Sequence, residues 1–144
     1  MFKRAAMLSY GVICYAVFFA TFLYAIGFIG NLIVPKSIDS IPTLPVGMAL
    51  FINTLLLTVF ALQHSVMARP FFKRAWTKIV PVAAERSTYV LFSSLALILL
   101  FALWQPIGGV VWSLTSTPAQ IAMYTAYGLG WALVLASTFA IDHF

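Results

Sequence analysis

Residues 5–35, 40–68 and 87–141 contain no Asp, Glu, Lys or Arg. Each stretch exceeds the roughly 20 apolar residues that carry a helix across a bilayer core of about 30 Å. A soluble domain is about half apolar and one-quarter charged, whereas this chain is 63% hydrophobic and 8% charged, with a mean hydropathy of +1.04. The chain therefore reads as an all-α, polytopic membrane protein, and long solvent-facing domains are excluded. No internal repeat or second domain is visible.

Four transmembrane helices fit the pattern, over residues 7–34, 46–67, 87–104 and 121–141. The first would reach about 42 Å at about 1.5 Å per residue, so it should tilt or protrude, and Pro35 should end it. Lys3 and Arg4 ahead of an apolar run imitate a signal peptide, but the run is too long and lacks a small-x-small cleavage site. It is read as a retained helix. The loop over 35–45 holds three prolines and reads as an exposed turn. Residues 105–118 read as an outer-face loop with Trp112 at the interface.

Charge sets the orientation. Arg69, Lys73, Arg74, Lys78 and Arg86 crowd into 68–86 against Glu85 alone, and two helices separate them from Lys3 and Arg4. Seven of the eight basic residues then fall on one side, which the positive-inside rule makes cytoplasmic: an N-in, C-in topology. The net charge of +5 is thus read as membrane orientation and not as nucleic-acid binding. Aromatics interleave with the basic residues of 68–86, as in a segment lying in the headgroup layer as an anionic-lipid anchor; a lid over a substrate or cofactor is the other reading.

Chemistry concentrates on the second helix. At 100° per residue, Asn53, Thr54, Thr58, His64 and Ser65 fall within about 140° of one another while Gln63 points away. Asn53 and His64 lie three turns apart on nearly one line, so the stripe should face the bundle interior or a cavity. An ionisable intramembrane residue is a functional hypothesis by default; a capping or interface histidine remains open. His64, Arg69, Glu85, Arg86, Tyr89 and the Asp142–His143 end would share one membrane level and form a polar mouth. Glu85 also suits the positive end of a helix and can pair with a neighbouring base. The single cysteine, Cys14, reads as a buried small hydrophobe. Gly27 and Gly30, and Gly128 and Gly130, read as helix contacts. No metal-ligand spacing occurs: there is no His-x-x-x-His, Cys-x-x-Cys or Glu-x-x-His.

The runs 60–70 (FALQHSVMARP), 85–91 (ERSTYVL) and 141–144 (IDHF), with the opening 18–40 (FFATFLYAIGFIGNLIVPKSIDS), resemble the bacterial methanethiol S-methyltransferases, members of a nurim-like and NnrU-like group of membrane proteins. The resemblance covers essentially the whole chain. It implies a multi-pass enzyme of the bacterial inner membrane that methylates methanethiol from S-adenosyl-L-methionine, giving dimethyl sulfide. His64, Arg86 and Glu85 then become the candidate catalytic residues, with His64 taking the thiol proton and Arg86 or Arg69 stabilising the thiolate. Asn53, Arg69, Tyr89, Asp142 and His143 would line the mouth, and the partners would be the bilayer and a small thiol.

Members of that family continue into a second half whose Arg-His-Pro element and later acidic residues resemble the cofactor site of isoprenylcysteine carboxyl methyltransferases. No Arg-His-Pro occurs here. The expectation is an N-terminal part of a longer methyltransferase, inactive alone, with its cofactor site outside this chain. Two other classes stay open: a non-catalytic scaffold or assembly factor of the NnrU or nurim type, and a small redox module with histidine ligands.

Overall fold

The computed structural model describes residues 2–140, which form five helices: α1 (Phe2–Gly30), α2 (Val46–Met67), α3 (Pro70–Trp76), α4 (Val82–Leu103) and α5 (Thr117–Ala140). Four of them, all but α3, are long and apolar enough to cross a membrane, in the places the sequence assigns. Helix α4 is the centre of the first unit, residues 1–108: α1 packs on it, α2 packs on it, and α3 leans on α2. Residues 109–144 form a second unit, in which none of the residues of α5 is buried.

Helix α1 buries Cys14, Thr21 and Phe28, with Ala25 between the last two. This seven-residue spacing is the seam of two helices packed nearly parallel to one another. The seam closes at one end in an aromatic layer, with Phe28 and Tyr24 at 4.8 and 5.4 Å from the Phe101 ring and Trp104 edge-on to Phe28 at 6.1 Å. At the other end Tyr10 Oη meets Thr88 Oγ1 at 2.9 Å.

Several boundaries differ from expectation, α1 and α5 also starting earlier, at Phe2 and Thr117, and three of them have a plain local reason. Helix α1 stops at Gly30, well before Pro35, because Asn31 takes a left-handed φ of 54° and the Leu32 N–H returns to the Gly27 carbonyl at 2.9 Å. This is a Schellman ending with asparagine at the position glycine usually holds. Gly27 accordingly receives the returning chain instead of a second helix: a Cβ there would lie 2.5 Å from Val34 Cγ1 and 2.6 Å from the Leu32 carbonyl oxygen. Helix α4 begins at Val82, directly after Pro81, so Glu85 and Arg86 lie inside the helix. Pro70 starts the unexpected α3, since a proline in the first turn has a preset φ and lacks an N–H that would have no partner there. Gly128 and Gly130 meet nothing within 4 Å among the described residues, so the contact expected of them is not found there.

The loop after α1 is not the free turn its prolines suggest. Its first half folds back onto the helix ends: Tyr24 Oη donates to the Lys36 carbonyl at 3.0 Å, the Ile38 N–H to the Phe28 carbonyl at 3.0 Å and Trp104 Nε1 to the Ile38 carbonyl at 3.2 Å. Lys36 Nζ reaches the Ala102 carbonyl at 2.6 Å, where a cation satisfies one of the unpaired carbonyls at the negative end of α4.

Candidate functional site

The chemistry gathers where the last turns of α2 cross the first half of α4. Tyr89 and Ser93 stand one turn apart on α4 and therefore project together. Tyr89 Oη lies 3.0 Å from His64 Nδ1 and 3.1 Å from Nε2, and Ser93 Oγ lies 3.3 Å from Nδ1. Phe60, one turn earlier on α2, stacks on the imidazole with ring centres 5.5 Å apart. A hydroxyl donates or accepts as needed, so this pair can partner a ring nitrogen whether or not it carries a proton. The arrangement suits a histidine that changes protonation state.

Gln63 is part of this cluster and does not point away. Its Nε2 lies 3.4 Å from Ser93 Oγ and 3.2 Å from Met67 Sδ. The buried line of α2 runs Ala49, Asn53, Leu56, Met67, whereas Thr54, Thr58, Ser65 and His64 itself are exposed, so of the expected inward pair only Asn53 is buried. A stripe defined by polarity alone is centred too far round, because α4 lies against the flank that carries Gln63. Ser93 was missed altogether; its signal was a serine four residues beyond Tyr89 in an apolar helix.

Glu85 is 16% exposed in the first turn of α4 and pairs with Lys73 Nζ of α3 at 3.8 Å, so its carboxylate ties the basic segment to the bundle. Arg86 is half-buried beside it, and Arg69 is exposed at the N-cap of α3. Asn53 belongs elsewhere. It is 3% exposed and joined to Gln105, eleven residues and about 16 Å along α2 from His64. Asp142 and His143 lie outside the described residues. Among the described residues no group of three or more His, Cys, Asp or Glu is placed to hold a metal ion.

Among the cavities of the first unit, two bear on the site. One, of about 460 Å³, is lined by Val17, Ala20, Thr21, Tyr24, Ile98 and Phe101 with Ala102 at its edge. The other, of about 630 Å³, lies among Lys36, Asp39, Ser40, Trp104 and Gln105.

Fold and site together define a multi-pass α-helical membrane protein with a histidine–hydroxyl cluster between two of its spans. Sequence comparison narrows the class. The chain is 53% identical to the methanethiol S-methyltransferase of Crocosphaera subtropica over 99% of its own length and 56% of the relative's. It is also 53% identical to methanethiol S-methyltransferase 2 of Bradyrhizobium diazoefficiens, over 100% of the chain and 55% of the relative. A nurim homolog of Drosophila pseudoobscura pseudoobscura is more distant, at 34% over 62% of the chain and 37% of that protein. The chain belongs to the methanethiol S-methyltransferase family, and it spans about half the length of the curated relatives it matches. No family model and no solved structure matches it.

Proposed function

We propose that this chain is the thiol-handling, membrane-embedded part of an S-adenosyl-L-methionine-dependent methanethiol S-methyltransferase. The observation that carries the reading is the 53% identity sustained over 99% of the chain. Bound to the complete enzyme, the cofactor would supply an electrophilic methyl group and leave as S-adenosylhomocysteine once its sulfonium–methyl bond broke, while the thiol sulfur would take the methyl and give up its proton. His64 receives the proton as general base, with Tyr89 and Ser93 holding its ring, and Arg86 or Arg69 favours the thiolate. The topology is N-in and C-in in the bacterial inner membrane, with the His64 cluster at the cytoplasmic mouth. A small thiol reaches it through the bilayer or from the cytoplasm.

The described residues do not fit the cofactor itself. In the apolar cavity the Thr21 and Tyr24 hydroxyls already donate to the Val17 and Lys36 carbonyls. The polar cavity lies around Lys36 and Trp104 at the end of α4, about 20 Å along that helix from Tyr89, whereas methyl transfer needs reacting atoms within about 3.5 Å. The cofactor is therefore assigned to the part of the family's length that this chain does not span. On this reading residues 1–144 form no dimethyl sulfide by themselves.

The competing reading is a membrane scaffold without catalysis. A chimera separates the two: the matching stretch of the Crocosphaera subtropica relative is replaced by this chain and headspace dimethyl sulfide is measured over cells given methanethiol. Production by the chimera, with none from the 144-residue chain alone, is the expected result. A well-expressed chimera that makes no dimethyl sulfide would favour the scaffold.

A further inference from the structure

The two cavities are joined through Lys36 and Tyr24. Lys36 lines the polar cavity, and its ammonium binds the carbonyl of Ala102, which lines the apolar one. Tyr24 joins them again, walling the apolar cavity and donating to the Lys36 carbonyl. The apolar cavity is a groove between α1 and α4, left open by the small side chains of Ala20 and Ala102. Its two hydroxyls already donate to backbone carbonyls, so it offers an occupant hydrocarbon contact and no free O–H donor.

The polar cavity offers the opposite. Lys36 and Asp39 both line it and, among the described residues, form no ion pair with each other. Lys36 commits one of its three N–H donors to Ala102, and Asp39 commits Oδ2 to Asn31 at 2.7 Å. A cation donor and an anion acceptor thus stand over one end of an apolar groove, with the Trp104 ring in the wall. Tryptophan and lysine are the side chains that favour the boundary between headgroups and hydrocarbon.

We propose that this composite site binds one glycerophospholipid with a primary-ammonium headgroup. An acyl chain lies in the Val17–Phe101 groove, the phosphate meets Lys36, and the ammonium donates to Asp39. Charge complementarity selects this occupant. A lipid with no headgroup charge leaves Lys36 and Asp39 unused, an anionic lipid without ammonium leaves Asp39 facing an anion, and a quaternary ammonium has no N–H to donate.

The test uses the full chain purified in detergent and stripped of lipid, with native mass spectrometry counting bound lipid. The probes are dioleoyl phosphatidylethanolamine, dioleoyl phosphatidylcholine, dioleoyl phosphatidylglycerol and dioleoylglycerol. One phosphatidylethanolamine per chain is expected, held about ten-fold more tightly than the other three, the scale of one charged hydrogen bond. Lys36→Gln should weaken it by about ten-fold. Asp39→Asn should equalise phosphatidylethanolamine and phosphatidylcholine, and Ala20→Phe, which fills the groove, should remove binding of both. The headgroup series on the unaltered chain decides the matter even if a variant misfolds. Equal affinity for all four lipids, or binding in no fixed ratio, would overturn the proposal.

Discussion

Asn53 and Gln105 exchange two hydrogen bonds: Asn53 Nδ2 donates to the Gln105 carbonyl at 2.7 Å, and the Gln105 N–H donates to Asn53 Oδ1 at 2.8 Å. A side-chain amide of α2 thereby pairs with the backbone just beyond the end of α4, where helical partners run out. Within an apolar bundle this fixes the axial register of α2 against α4. It also sets where His64, three turns along, meets Tyr89 and Ser93.

Asn53→Ala should therefore destabilise the bundle by about 1–3 kcal/mol, because it strands a part-buried donor and acceptor of Gln105. Thermal denaturation in detergent measures it. Thr58→Ala is the control: that hydroxyl is exposed and donates only to the Thr54 carbonyl of its own helix, so a change within about 0.5 kcal/mol is expected. Equal melting of the two variants would remove the clamp from the account.

Two glycine-to-alanine changes should move stability in opposite directions. At Gly27 the new methyl meets Val34 and the Leu32 carbonyl, and overpacking of this kind costs about 1–3 kcal/mol. The chain over 31–45 should loosen and become more easily cut by protease. At Gly47 nothing lies within 4 Å, and replacing a helical glycine stabilises by about 0.5–1 kcal/mol. A Gly27→Ala protein as stable as its parent would contradict the close return of the chain.

The sequence made the spans legible because charge-free length is nearly sufficient for that conclusion, and it made Asn53 legible as an inward residue because a lone amide in an apolar helix has few other places to go. It did not reveal what Asn53 binds, since Gln105 is 52 residues away and contributes only backbone atoms. Gln63 was placed on the wrong side by the same reasoning that found Asn53. Polarity locates a face only when every polar residue on the helix is inward, and Thr54, Thr58 and Ser65 are not. Glu85 was read correctly as able to pair with a nearby base, and Lys73 is that base. The end of α1 was missed because Pro35 is a more conspicuous stop than an asparagine that merely tolerates positive φ.

Orientation follows from charge and can be read by labelling. With Thr43→Cys and Lys78→Cys made separately, a membrane-impermeant maleimide applied to intact cells should modify position 43, and position 78 only after permeabilisation. Both positions are exposed, and the native Cys14 is 0% exposed, so background labelling should be low. Modification of position 78 alone in intact cells would invert the topology.

The last prediction concerns the histidine cluster and is read in the chimera, normalised to expressed protein. His64→Leu removes the proposed general base and should lower dimethyl sulfide formation by about 100-fold or more. Tyr89→Phe and Ser93→Ala should each cost less, up to about ten-fold, because either hydroxyl alone still partners the ring at 3.0–3.3 Å. Removing both leaves His64 ring contacts alone, with Phe60 and with the ring kept at position 89, and no hydroxyl partner, so the double variant should lose more than the product of the two single losses. Such non-additivity is the signature of two groups serving one partner. Strictly multiplicative losses would mean that Tyr89 and Ser93 act separately, and a His64→Leu chimera with undiminished turnover would remove His64 from the chemistry.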